Sequence, residues 1–232
     1  MRVILRTFSE LCITVGALIV LFVAYILFWT GVRADGAMND QIDQLHRQWS
    51  KGSVQQAADT PGVTTKTVTV GDPAPYHYGK AFAIMYIPRF GFTWNKPVLE
   101  GTGRDVLAKG LAHYQGTARL GQEGNFAVAG HRRTYGDPFL DFPKLRPGDA
   151  VVLTDGTTWF TYRIDKGPYK TVPTDVHVID PVPGKSGYAR PGRYLTLTTC
   201  DPEWGHSHRL IVWAHLDSTQ PVDTGEPEAL RR

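Results

Sequence analysis

The most informative stretch of this 232-residue chain is Tyr194-Leu195-Thr196-Leu197-Thr198-Thr199-Cys200, which ends in one of only two cysteines. Its β-branched, aromatic and apolar composition is typical of a β-strand, in which successive side chains point to opposite faces. The two leucines therefore share one face, whereas Thr196, Thr198 and Cys200 share the other. The sequence predicts that Cys200 lies at a strand end, on the face turned away from the core.

Cys200 is also expected to be a free thiol. The other cysteine, Cys12, lies in an apolar N-terminal stretch, so an intramolecular disulfide is not expected. A lone cysteine is most often a small buried hydrophobe. The predicted position of Cys200 on the outer face weakens that interpretation.

The apolar stretch Leu11–Trp29 contains no charged residue and is close to the ~20 residues that a helix needs to cross a bilayer. Two arginines precede it and acidic residues follow it, which predicts a cytoplasmic N-terminus (1–10), a transmembrane anchor (11–30) and an extracytoplasmic remainder. A cleaved signal peptide is the alternative, but Arg33-Ala34-Asp35-Gly36-Ala37 is a poor cleavage site. The sequence thus predicts a single-pass cell-membrane protein, and an unpaired thiol outside the cytoplasm needs a chemical reason.

The chain beyond the anchor divides into a stalk, a β-rich domain and a tail. Residues 31–79 are polar and rich in Pro and Gly, with a short helix predicted at Asn39–Trp49. Residues 80–217 contain short β-rich runs separated by turn signals, which predicts an all-β fold, a closed β-barrel of about eight strands with short helical turns. The tail, 218–232, is expected to be disordered. Six strands are predicted: Lys80–Ile87, Asn125–His131, Ala150–Thr154, Thr158–Ile164, Arg193–Cys200 and Arg209–Leu216.

Two classes of partner are not expected. The formal net charge is only +3 and the basic residues are scattered, so the sequence does not indicate a nucleic-acid partner. The pair His206-Ser207-His208 lacks further residues at metal-ligand spacing, and we interpret it as a solvated loop between the last two strands.

Strand alternation places two further polar side chains with Cys200. In the run that ends at His131, Phe126 and Val128 share one face and leave the histidine on the other. In the last strand, alternate apolar residues from Leu210 onward occupy the core face and leave Arg209 on the opposite one. A thiol, an imidazole and a guanidinium can together perform acyl transfer, since the thiolate attacks a carbonyl, the histidine protonates the departing amine and the arginine stabilises the oxyanion.

These residues carry a family resemblance. The run Thr196-Leu197-Thr198-Thr199-Cys200 resembles the TLxTC signature of sortases, the membrane-anchored cysteine transpeptidases of Gram-positive bacteria. Gly130-His131-Arg132 resembles their histidine-bearing strand end, and Arg209 resembles the arginine that opens their last strand. The resemblance covers Lys80 to Asp217 and implies a sortase-like barrel in which Cys200, His131 and Arg209 are catalytic. It implies no metal and no organic cofactor.

Within the family, the chain looks most like the class E sortases of high-GC actinobacteria, on the segments Ala112–Thr117, Ala127–Arg132 and Cys200-Asp201-Pro202. That class is associated with an LAxTG sorting signal in place of LPxTG. The resemblance implies cleavage of the Thr–Gly bond of sorting-signal-bearing surface proteins and transfer to a peptidoglycan precursor amine. It also makes Tyr114, and the threonines Thr198 and Thr199, candidate substrate-binding residues.

Of three other functions, the sequence is compatible with one and disfavours two. A pilus-polymerising sortase would use the same residues with a protein lysine as acceptor. A cysteine L,D-transpeptidase is disfavoured because its Ser-His-Gly-Cys motif is absent from the sequence. A non-catalytic wall-associated binding module would leave the cysteine, histidine and arginine unexplained.

Overall fold

A computed structural model of the chain describes residues 2–57 and 75–231. They form one long helix, α1 (Arg2–Ala57), a β-barrel and a one-turn helix, α2 (Arg104–Leu107). The strands are β1 (Ala81–Tyr86), β2 (Asn95–Glu100), β3 (Leu111–His113), β4 (Gly124–Ala129), β5 (Ala150–Thr154), β6 (Thr158–Thr171), β7 (Arg193–Asp201) and β8 (His208–Pro221). They close in the order β1-β2-β3-β4-β7-β8-β6-β5, which confirms the predicted eight-stranded barrel.

The barrel interior is filled by the faces that strand alternation assigned to the core. The two leucines of β7 meet Phe126 and Val128 of β4 and the alternate apolar residues of β8, all within one buried cluster. The outer face of the same strands is also covered along most of its length. Trp213 of β8 is fully buried there and donates a hydrogen bond from its indole to the Val178 carbonyl (3.0 Å). On β4 and β7, the outer face therefore becomes accessible near the strand ends.

Two of the eight strands, β2 and β3, have no counterpart among the predicted runs. Strand β2 contains Pro97, which interrupts the pattern of a strand, and β3 has only three residues. Three residues are too few to produce a periodic pattern.

The segment between the predicted anchor and the barrel differs from the expectation. A short helix was expected at Asn39–Trp49 within a polar stalk, whereas α1 is continuous from Arg2 to Ala57 because no proline occurs before residue 61. Its segment Arg6–Tyr25 has a mean hydropathy of 2.1 and is long enough to cross a membrane. The rest of the predicted stalk between residues 58 and 74 lies outside the described residues.

The expectation of a disordered tail from residue 218 onward is corrected. Strand β8 continues to Pro221 because its last residues, from Ser218, pair with the first residues of β6. Beyond the strand, Val222, Ala229 and Leu230 pack against Trp159 on the outside of the barrel. Apolar side chains spaced among the prolines and glutamates thus hold the tail to the barrel.

Candidate active site

The strand register brings the three predicted residues to one edge of the barrel. Strand β4 runs parallel to β7, and beyond its end the Gly130 amide donates to the Thr198 carbonyl (3.1 Å). Parallel partners advance together, so this register carries His131 to the level of Cys200. Strand β8 runs antiparallel to β7 on its other side, with Arg209 directly opposite Cys200. We call this end of the barrel the catalytic edge.

Cys200 is the point at which β7 becomes accessible. Residues 194–199 of this strand are all buried, whereas Cys200 is half-buried and unpaired. A thiol in this position is supported by strand hydrogen bonds on both sides and still open to a substrate. This placement agrees with the prediction from alternation.

His131 lies immediately beyond β4, half-buried and stacked on the Tyr135 ring with 5.1 Å between ring centroids. Desolvation lowers the pKa of His131 below its ordinary value, and the Asp137 carboxylate opposes this effect. The neutral imidazole is therefore favoured near pH 7. A neutral imidazole can accept the proton of a thiol and later deliver it to a leaving amine.

The loop after His131 has an unusual backbone. Four of its residues adopt positive φ: Thr134 (77°), Tyr135 (51°), Gly136 (76°) and Asp137 (48°). Positive φ is sterically unfavourable for residues other than glycine, so these residues keep it only where surrounding contacts impose it. Arg133 supplies one constraint, because it pairs with Asp137 (3.1 Å) inside the loop and with Glu203 from the loop after β7.

Arg209 is held by backbone carbonyls. Its guanidinium donates to the carbonyls of His206 (3.0 Å), in the turn that joins β7 to β8, and of His208 (2.9 Å), the first residue of β8. Among the residues that the structure describes, no carboxylate forms a salt bridge with it. Its charge is thus oriented and available to a developing oxyanion beside Cys200.

We expect Arg209→Lys to reduce kcat/KM by an amount equivalent to about 2 to 4 kcal/mol, the usual scale for loss of an oxyanion donor. Lysine keeps the charge but lacks the planar fork that the two carbonyls orient. Steady-state kinetics with a sorting peptide measure the effect, and Arg190→Lys is the control on the loop before β7. Rates within threefold of wild type would remove Arg209 from the site.

The three candidate substrate-binding residues occupy different positions. Tyr114 and Thr198 share a hydrogen bond between their hydroxyls (3.0 Å) on the outer face of the barrel, one alternation step before Cys200. Thr199 instead donates its hydroxyl to the Gly130 carbonyl (2.8 Å) and is buried. Its geometry therefore ties β7 to the end of β4 and positions the residues that follow, Cys200 and His131.

The ion pairs that join the ends of β4 and β7 at the catalytic edge were not predicted from the sequence. Asp201, the residue after the thiol, pairs with Arg132, the residue after the histidine, and with Lys170 of β6 (2.7 Å). The hydrogen bond from Lys170, together with that from Arg132, lowers the pKa of Asp201. Arg132 and Asp201 stand in segments that were noted for the family resemblance, but their pairing depends on how two loops fold.

A second missed contact supports Tyr114. The ring of His113, the preceding residue, is almost fully buried between the Glu100 carboxylate (2.5 Å) and the Ala118 carbonyl (3.1 Å). Thr117 also contacts this ring (3.0 Å) and donates its hydroxyl to the Tyr114 carbonyl (2.8 Å). This network fixes the loop between β3 and β4.

A closed barrel that presents a cysteine between a histidine and an arginine at one edge defines a class, the β-barrel cysteine transpeptidases. The chain belongs to the sortase family: the Sortase domain model matches residues 85–217. The expected family is thereby confirmed.

Comparison with individual relatives confirms the similarity to class E sortases of actinobacteria. The chain is 35% identical over 232 residues to Sortase SrtE1 of Streptomyces coelicolor, covering 97% of this chain and 60% of that relative's length. It is 82% identical to the solved sortase E from Streptomyces avermitilis (TM-score 0.65), which matches 67% of this chain and 100% of its own. The crystal structure of Sortase E1 from Streptomyces coelicolor with a tripeptide in its active site is 38% identical (TM-score 0.62) and covers 68% of this chain and 100% of its own.

Proposed function

We propose that this protein is a membrane-anchored sortase that cleaves the Thr–Gly bond of an LAxTG-type sorting signal and transfers the acyl group to an amine of a peptidoglycan precursor. The observation that carries this proposal is the placement of Cys200 between the ends of β4 and β8, with Arg209 directly opposite. The tripeptide in the active site of the related Sortase E1 supports a peptide substrate.

The first half of the reaction forms a thioacyl enzyme. The Cys200 proton passes to the neutral imidazole of His131, and the thiolate attacks the threonine carbonyl of the signal. Arg209 stabilises the oxyanion that forms. When the intermediate collapses, the C–N bond breaks and the His131 imidazolium protonates the departing glycine amine.

The second half reverses these proton transfers. The acceptor amine attacks the thioacyl carbonyl, and His131 takes a proton from the attacking nitrogen. The C–S bond then breaks, and His131 returns this proton to the departing thiolate of Cys200. The new amide is about as stable as the one that was cleaved, so transfer needs no other energy source.

The proposal includes a location. The apolar segment Arg6–Tyr25 of α1 serves as a single-pass anchor, with the N-terminus in the cytoplasm and the barrel outside. Surface proteins that carry a sorting signal and a wall precursor that carries an amine are the partners that this location allows.

The proposal is tested with the full-length protein in detergent, incubated with LAxTG and LPxTG peptides and with a glycine-type or a lysine-type amine. Mass spectrometry should detect an acyl adduct on Cys200 and the amide product. An unreactive Cys200 would favour the non-catalytic binding module. Transfer to lysine alone would favour the pilus-polymerising alternative.

We expect the enzyme to prefer LAxTG to LPxTG and expect Tyr114→Phe to narrow the ratio of their kcat/KM values. The variant removes the hydroxyl that pairs with Thr198, and an unpaired polar group in a desolvated site costs about 1 to 3 kcal/mol. Tyr188→Phe, whose ring stacks on Tyr194 near the beginning of β7, is the control. Equal use of both peptides by wild type would contradict the class E assignment, and an unchanged ratio in the variant would exclude Tyr114 from specificity.

A further inference from the structure

The helix α1 continues past the membrane-spanning segment and packs along the barrel. Ala34, Met38 and Leu45 are buried, and they recur at a spacing that places them on one side of the helix. They lie beyond the apolar stretch, which ends at Trp29. The helix is thus both the anchor and a rigid support for the catalytic domain.

The part of α1 that follows the apolar stretch most closely lies against the catalytic edge. A Cβ atom added to Gly136, in the loop after His131, would stand 2.7 Å from the Asp35 carboxylate and 3.3 Å from the end of Met38. Asp35 also pairs with Lys96 (3.5 Å) at the start of β2. That strand begins at the edge where β4 ends, because β2 is parallel to β3 and β3 is antiparallel to β4.

The part farther from the membrane lies against the opposite end of the barrel. A Cβ atom added to Gly156, in the turn between β5 and β6, would collide with the Trp49 ring. The pairing of β6 with β8 shows that this turn is remote from the site, since Thr158 pairs with Pro221 whereas Thr171 pairs with Arg209. The two contacts define how the barrel is oriented along α1. The catalytic edge lies beside the part of the helix nearer the apolar stretch, and the opposite end of the barrel lies beside the part farther from it.

We propose that α1 holds the barrel with its catalytic edge toward the bilayer. Asp35 follows Trp29, the last residue of the apolar stretch, by six residues, which corresponds to about 9 Å of helix, and Trp49 lies about 21 Å farther from the membrane. The consequence for substrates rests on the proposed function: the sorting signal and the acceptor amine reach Cys200 in the narrow space above the membrane. A peptide bond presented far above the bilayer would instead meet the opposite end of the barrel, which carries the turn between β5 and β6.

The orientation is measured without any turnover, so its failure is distinct from failure of the proposed function. Single cysteines are placed at Trp204 (68% exposed), beside the catalytic edge, and at Thr157, in the opposite turn, in full-length protein with both native cysteines replaced by alanine. Each is labelled with a donor fluorophore and reconstituted in vesicles with acceptor-labelled lipid headgroups. We expect a several-fold higher energy transfer from position 204 than from position 157. Equal transfer, or higher transfer from position 157, would overturn the proposal.

Two variants test whether α1 sets this orientation. Met38→Asp combined with Leu45→Asp puts charge into the packed face of the helix. It should make the energy transfer from positions 204 and 157 equal. A helical insertion of seven residues between Gly31 and Val32 adds about 10 Å and nearly two full turns, so it should lower transfer from position 204 while keeping the order of the two. The same insertion between Thr65 and Lys66, after the helix, is the control and should change neither. Unchanged transfer in the first two variants would overturn the role of α1.

The insertion variant also tests the consequence for substrates. Sorting signals joined to a membrane-spanning segment by about four or twenty flexible residues can extend at most about 13 or 66 Å from the bilayer. We expect the wild-type enzyme to cleave the signals on both tethers. The variant with the insertion after Gly31 should lose at least tenfold of its cleavage rate on the short tether and keep its rate on the long one. A soluble peptide should be cleaved equally by both proteins. Retained activity of the variant on the short tether would contradict a catalytic edge close to the membrane.

Discussion

Replacing Cys200 by alanine is expected to abolish both cleavage and transfer, by a factor of about 10⁴ or more, while leaving the barrel folded. Among the described residues of the catalytic edge, the Cys200 thiol is the group placed to form the proposed covalent intermediate. It is half-buried at the end of β7, whereas the residues that fill the core precede it in the strand. The side chain thus contributes chemistry and little packing.

Mass spectrometry of the acyl adduct and thermal unfolding of the same preparations measure the two parts of this expectation. Cys200→Ser keeps the size of the side chain and should also be inactive, because a hydroxyl near a neutral histidine ionises far less readily than a thiol. Cys12→Ala is the matched control, since Cys12 lies in the apolar segment that we propose as the membrane anchor, and it should retain full activity. Turnover by Cys200→Ala would show that another residue is the nucleophile.

The alternation of apolar and polar residues was sufficient to predict the central part of the fold. Strands β4, β7 and β8 each have a strict pattern, and the structure places their predicted core faces in one cluster. Their ends could be predicted to meet because the polar residue stands at the end of each pattern. The short or proline-containing strands β2 and β3 have no such pattern, so their positions depend on contacts with the rest of the barrel.

The parts of the site that could not be predicted are those that loops bring together. Arg132 and Asp201 are 69 residues apart, and Arg133 pairs with Glu203 across a similar separation. Neither pairing leaves a local pattern in the sequence. The contact of α1 with Gly136 is of the same kind, because it depends on the positive φ of that loop and on a helix that continues beyond the apolar stretch.

The second large effect is expected for His131→Ala, which should reduce kcat/KM by about 10² to 10⁴. In the proposed mechanism the imidazole both accepts the thiol proton and protonates the leaving amine, so its loss should affect formation and resolution of the acyl enzyme. His206→Ala and His208→Ala are the controls beside Arg209, to which these residues supply only backbone carbonyls. Loss of activity in either control, together with an active His131→Ala variant, would show that His131 is not the general acid.

The pH dependence tests the same role without removing the imidazole. Burial lowers the pKa of His131, so the acid limb of kcat/KM should lie below the ordinary value of about 6.5, because the protonated ring cannot accept the thiol proton. Asp137 raises this pKa, so Asp137→Asn should lower it further and move the acid limb to lower pH. Asparagine tolerates the positive φ of this position, and Arg133 keeps its contact with Glu203, which preserves the loop. An acid limb that is unmoved, or that moves to higher pH, would show that it reports a group other than His131.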